Sequence, residues 1–129
     1  MLEPGNFEQG EAWVVFQLND APVRTAQDGD FNCIALMDAA SGHIFGTMAV
    51  AVAQGEPSAF EVRRLFDSCL EGGAQVPSTL LIPKGQFGTA LPAEAERRGI
   101  TAAHVHEANL AGLTSPATQS FREHVQRAG

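Results

Sequence analysis

His104 and His106 are one residue apart, and alternate residues of an extended strand share a face, so their imidazoles could bind zinc together. No cysteine or aspartate stands beside them at ligand spacing. The competing reading is two solvated histidines on the exposed side of an edge strand, with Glu107 turned to the other face and His124 able to join only through tertiary packing. Asp20, Asp28 and Asp30 crowd one long connection rich in Asp, Asn and Gly, where they could gather around a cation or simply be solvated. Ser41 and His43 have no nucleophile elbow around them. Lys84 to Gly88, KGQFG, lies where a strand meets a helix, a place where layered α/β folds bind small ligands. It lacks the Gly-Lys-Ser/Thr ending of a phosphate loop. A hard cation such as Mg²⁺ or Mn²⁺ needs several oxygen ligands, and a carboxylate set for one would draw on Asp20, Asp38, Glu107 or Glu123. No motif for an organic cofactor is present.

Those residues must be positioned by one domain, residues 1–129, long enough to bury about two-thirds of its unfolded surface. The first ten residues, MLEPGNFEQG, are polar and Gly-containing and are expected to be flexible or to lie on the surface. No apolar run approaches the length of a membrane span and no basic-then-apolar leader is present, which implies a soluble, cytoplasmic protein. Cys33 and Cys69 fall on faces expected to be buried and read as core residues, not as a disulfide. The net charge of −7 is uneven: residues 1–56 hold eight acids and one base, Arg24, and residues 57–129 hold seven of each. Such a distribution offers no general field for a polyanion and disfavours nucleic-acid binding.

The elements follow from pattern. EAWVVFQL, Glu11 to Leu18, is a strand by composition. FNCIALM, Phe31 to Met37, and the stretch from Ile44 to Val52 form a hairpin around Asp38 and Gly42, apolar on both faces and therefore central to a layered domain. A helix is predicted from about Pro57 to Leu70, with Pro57 in its first turn. Its apolar stripe is Ala59, Val62, Leu65, Phe66, Cys69 and Leu70, and Gly72 and Gly73 stop it. PSTLLIP, Pro77 to Pro83, reads as a buried strand, Thr89 to Arg98 as a second helix, and Ile100 to Ala108 as a returning strand. Ser115-Pro116 resembles a cap followed by proline at the first helical position. It predicts a third helix with Ala117, Phe121 and Val125 on one face.

Three strands followed by two helix-to-strand crossovers is the order of the ribonuclease H-like fold, and the residues resemble that superfamily, especially retroviral-integrase and transposase cores. EAWVVF matches the first strand, which there follows a Trp with an Asp; DAASGHIFG matches the hairpin pattern D-x-x-S-x-x-I-x-G; PSTLLIPKGQF matches the proline-led strand. The resemblance covers roughly Glu11 to Ala108. It implies a three-layer α/β domain around a mixed five-stranded sheet. The chain is also similar to small bacterial domains of unknown function that share the hairpin, helix, "P-x-x-L-x-V" strand and "GI" pattern.

In the superfamily's nucleases two strand-end carboxylates and a third from the last helix hold divalent cations. Here the resemblance places the first of these positions on Phe16, or on Gln17 or Leu18 if the register slips, and the second on Pro83. Glu107 or Glu123 could supply the third, and Asp38 matches a turn residue of the family. The resemblance therefore implies a degenerate, non-catalytic module that binds a protein partner or itself. The alternative is a metal-dependent nuclease or phosphoryl-transfer enzyme, using Mg²⁺ or Mn²⁺ at a relocated site built from Asp20, Asp38, Glu107 or Glu123.

Overall fold

The computed structural model describes residues 1–24 and 29–128, with side chains up to Val125. β1, Ala12–Gln17, is buried through its first five residues, so both its faces are covered and it takes the middle of the sheet. β2, Phe31–Asp38, and β3, Ile44–Ala51, are the hairpin. The turn between them is fixed by Asp38, whose carboxylate accepts the Ser41 N–H at 2.9 Å, the Ser41 hydroxyl at 2.7 Å and the Gly10 N–H at 3.0 Å. Gly42, at φ 76°, takes the left-handed position that a side chain would disfavour.

α1, Ala59–Glu71, begins two residues later than the expected start at Pro57. Ser58 is the N-cap, its hydroxyl accepting the Glu61 N–H while the Glu61 carboxylate accepts the Ser58 N–H, and Pro57 stands before the helix. β4, Thr79–Pro83, α2, Ala90–Arg97, and β5, Thr101–Val105, follow. The last helix departs from expectation. α3 runs unbroken as Glu107–Ala128, so Glu107 and Ala108 belong to it and not to a strand, and Pro116 lies inside it. Ser115-Pro116 imitates a helix start, but Leu110, Leu113, Ala117 and Phe121 form one stripe across it and all reach the core. Burial of that stripe holds the helix together through a proline that costs roughly 3 kcal/mol in a helix interior.

The strand order is β3-β2-β1-β4-β5. β1 pairs antiparallel with β2 and parallel with β4, and β4 pairs parallel with β5. This is the mixed five-stranded sheet that the resemblance implies, with Leu80 to Ile82 inside it. One face packs Trp13, Leu36, Leu80 and Ile82 against Val62, Leu65 and Phe66 of α1 and Leu91 and Ala95 of α2. The other packs Val14, Phe16, Met37 and Leu81 against Leu110 and Leu113 of α3. Ile44, which opens the edge strand, is only half-buried. The Trp13 indole N–H is buried without a hydrogen-bond partner, tolerated beside the rings of Phe45 and Phe66.

α1 and α2 are tied together by the buried Glu94, which accepts from Arg97 at 2.6 Å and Arg98 at 2.6 Å, while Arg98 also reaches Asp67 at 2.8 Å. Residues 1–10 are anchored on α3: the Leu2 N–H donates to the Asn109 carbonyl at 2.8 Å, and Leu2 and Phe7 pack on the α3-side core. Gly112 is the contact point, because a Cβ there would collide with the Leu2 carbonyl.

Candidate functional site

The offset that pairs Val14 with Leu81 brings Phe16 level with Pro83 when carried two residues further. Alternation puts both side chains on the α3 face, and both are buried, Phe16 being only 4% exposed. α3 starts just beyond them. Around these strand ends opens a cleft of about 980 Å³, where ligands bind in open α/β sheets.

Its walls come from several elements, and Asn32 and Ile34 of β2 and Val50 of β3 contribute to them. Phe16, Gln17, Asn19 and Asp20 end β1, and Pro83 with Gly85 to Gly88 ends β4. Glu56 and Pro57 precede α1, and Glu107, Leu110 and Thr114 come from α3. Asn19 is buried and fully engaged: its amide donates to the Ala21 carbonyl and to Asn32 Oδ1, both at 2.9 Å, and its Oδ1 accepts the Cys33 N–H at 2.7 Å. In the loop after β4 Phe87 takes φ 65°, a strained value for an aromatic residue. The Gln86 amide donates to Glu107 Oε2 at 2.8 Å. The Glu56 side chain lies directly over Gly88, in space that any Cβ would need.

The candidate acids separate. Asp20 and Glu107 both line the cleft, but Asp20 is held by Arg122 at 2.6 Å and Glu107 by Gln86. Asp38 sits in the hairpin turn at the opposite end of the sheet from the cleft, level with Trp13. Burial raises its pKa, yet hydrogen bonds from the Ser41 hydroxyl, the Gly10 N–H and the Ser41 N–H outweigh this, with help from His43, and hold it below the ordinary carboxylate value. Glu123 is sixteen residues beyond Glu107 on α3, roughly 24 Å along a helix axis. Asp30 is exposed at the start of β2, and Asp28 lies outside the described residues. Glu56 is a third cleft carboxylate that the sequence did not single out, because only packing against Gly88 places it there.

The histidines separate as well. His104 is exposed on β5, an edge strand, while His106 falls after the strand and before α3, so the two do not share a strand face. His124 lines a groove between α3 and the hairpin turn. Among the described residues no three of His, Cys, Asp or Glu converge as a metal-ligating group. The Ser41 hydroxyl is committed to Asp38, and the His43 ring meets Phe45 edge-on at 5.2 Å. Lys84 is exposed and outside the cleft lining, although the rest of its loop contributes. Burial pushes the Cys69 thiol up to about 11 and also raises Cys33, where a Thr47 hydrogen bond opposes it, so neither is poised as a thiolate.

Two carboxylate-bridged cations, as the superfamily's nucleases hold, do not fit these strand ends. Phe16 has no side-chain ligand atom and Pro83 none, Asp20 is paired with Arg122, and Asp20, Glu56 and Glu107 do not converge as a ligand set among the described residues.

The backbone path is nonetheless close to a known one. The chain superimposes on the HTLV-2 integrase catalytic core domain in complex with magnesium, in its dimeric form, with a TM-score of 0.63 over 93% of this chain and 72% of that one. The fold is ribonuclease H-like. Sequence identity in that pair is 9%, so the likeness concerns the fold alone. A second ribonuclease H-like match is a chain of the simian T-cell lymphotropic virus intasome in complex with PP2A regulatory subunit B56 gamma. It gives a TM-score of 0.60 at 9% identity, covering 88% of this chain and 37% of that one. No family profile and no curated protein sequence matches the chain.

Proposed function

We propose that the chain is a non-catalytic ribonuclease H-like module, a single cytoplasmic domain that acts by binding another protein. The observation that carries this reading is the pair Phe16 and Pro83, buried and level at the strand ends, onto which the resemblance places the first two carboxylate positions of the superfamily's nucleases. The cleft above them keeps its size but not its ligands. Its lining includes Asp20, Glu56 and Glu107 and no Lys, Arg or His among the described residues, so it repels phosphate and suits a neutral or basic protein segment. A fold neighbour found in an assembly with a protein phosphatase regulatory subunit is consistent with the fold serving protein contacts. No helix among the described residues is long and apolar enough to cross a membrane.

Metal titration tests the reading. Mg²⁺ and Mn²⁺ at millimolar excess are expected to leave the melting temperature unchanged, since an ion that binds only the folded state at 100 times its Kd would add about 2.7 kcal/mol. A metal-dependent rise in melting temperature that Asp20→Ala or Glu107→Gln abolishes would overturn it in favour of a relocated carboxylate site.

A further inference from the structure

We propose that the free edge of β3 pairs antiparallel with the same edge of a second copy of this chain, joining the two sheets into one. β3 ends the strand order, and among the described residues no strand lies beyond it. The ladder fixes which of its backbone groups are free. In an antiparallel pair, alternate residues exchange hydrogen bonds with the partner strand while those between turn their N–H and C=O the other way. The Cys33 carbonyl accepts the Leu18 N–H at 2.8 Å, so Cys33 bonds toward β1, and its neighbours Asn32 and Ile34 bond toward β3. Their partners are Val50 and Met48. The Val52 N–H donating to the Asp30 carbonyl at 3.0 Å keeps the same phase. Thr47 and Ala49 therefore turn both backbone N–H and C=O outward, and Ala51 its N–H, while the Ala51 carbonyl accepts the Gln54 N–H at 3.0 Å in the turn that follows.

Nothing on this edge discourages pairing. Natural edge strands are blunted with Lys, Pro or inward charges, whereas IFGTMAVA carries none of these over eight residues. The side chains of Thr47, Ala49 and Ala51 are small and exposed. The opposite edge, β5, is only five residues long and carries His104.

A second copy is the occupant that the register favours. With the two-fold axis at Ala49, Ala49 faces Ala49, and Thr47 of one copy faces Ala51 of the other, so the Ala49 and Ala51 N–H groups meet the unclaimed Ala49 and Thr47 carbonyls, giving about four bonds. A charged edge residue near the axis would confront its own like charge, and β3 has none. This inference rests on the outward edge of β3 and does not depend on the non-catalytic reading.

Sedimentation velocity on the full chain, from about 2 to about 200 µM to span micromolar affinities, tests it together with amide hydrogen exchange. A reversible monomer–dimer equilibrium is expected, tightening with added salt because each copy carries −7. The amides of Ala49 and Ala51 should gain protection as concentration rises. Ala49→Lys, which sets two ammonium groups together at the axis, and Ala49→Pro, which removes an outward donor that the monomer does not use, should both be monomeric. Ala49→Thr should remain dimeric. A wild-type chain that stays monomeric throughout the range would overturn the proposal. So would a dimer that Ala49→Lys leaves intact, or one in which those two amides exchange at a concentration-independent rate.

Discussion

Asp38 shows how an acidic side chain that could have been catalytic is used for structure. It is 1% exposed and receives three hydrogen bonds, two from within the hairpin turn and one from Gly10. Truncation would leave the Gly10 and Ser41 N–H groups without this acceptor, so Asp38→Ala should destabilise by about 1–3 kcal/mol in chemical denaturation. Because its folded pKa lies below the ordinary value near 3.8, Asp38 contributes stability that is fully present above that value and is lost as pH falls through the lower folded one. The acid limb of the stability curve below about pH 4 should therefore be shallower in Asp38→Ala than in the parent. An unchanged limb would show that the carboxylate is not held in its charged form by the fold. The turn role of Asp38 was legible because Asp-x-x-Ser-Gly is local chemistry. The partners of the cleft acids were not, since Asp20 meets Arg122 across 102 residues of chain and Glu56 reaches Gly88 only by packing.

At the scale of elements, α3 is the instructive case. Its start at Glu107 puts a carboxylate at the positive end of the helix dipole, directly over the cleft, whereas a strand continuing to Ala108 would have turned that side chain elsewhere. If Pro116 is interior, Pro116→Ala restores a donor to the Gly112 carbonyl and should raise stability, by up to about 3 kcal/mol. If the helix began at Ser115, the same change would be neutral or destabilising, so a melting curve separates the two. α1 could be read from sequence because a 3.6-residue stripe ran from Val62 to Cys69 between a cap and two glycines. α3 could not, because Ser115-Pro116 carries the local signature of a start, while the stripe that overrides it depends on a sheet face assembled from distant strands. The same tertiary packing explains the anchored residues 1–10, whose Leu2 and Phe7 stand too far apart to show a period.

For the whole molecule, one end of the sheet holds a cleft with buried apolar strand ends and an acidic lining, and one edge holds an uncharged strand. Similarity of fold to integrase cores does not carry their chemistry across 9% identity. The proposed non-catalytic reading rests instead on the residues at the strand ends: Phe16 and Pro83, onto which the resemblance places the first two carboxylate positions, offer a hard cation no carboxylate, and Mg²⁺ sheds its water reluctantly. The most direct test is a cleavage assay with the purified chain on single-stranded DNA, duplex DNA and an RNA–DNA hybrid, with Mg²⁺ or Mn²⁺ and with EDTA controls. The account predicts no cleavage of any substrate by the parent chain, and none by Phe16→Asp, which adds one carboxylate without a second at Pro83. EDTA-sensitive cleavage by the parent chain that disappears in Asp20→Asn or Glu107→Gln would contradict it.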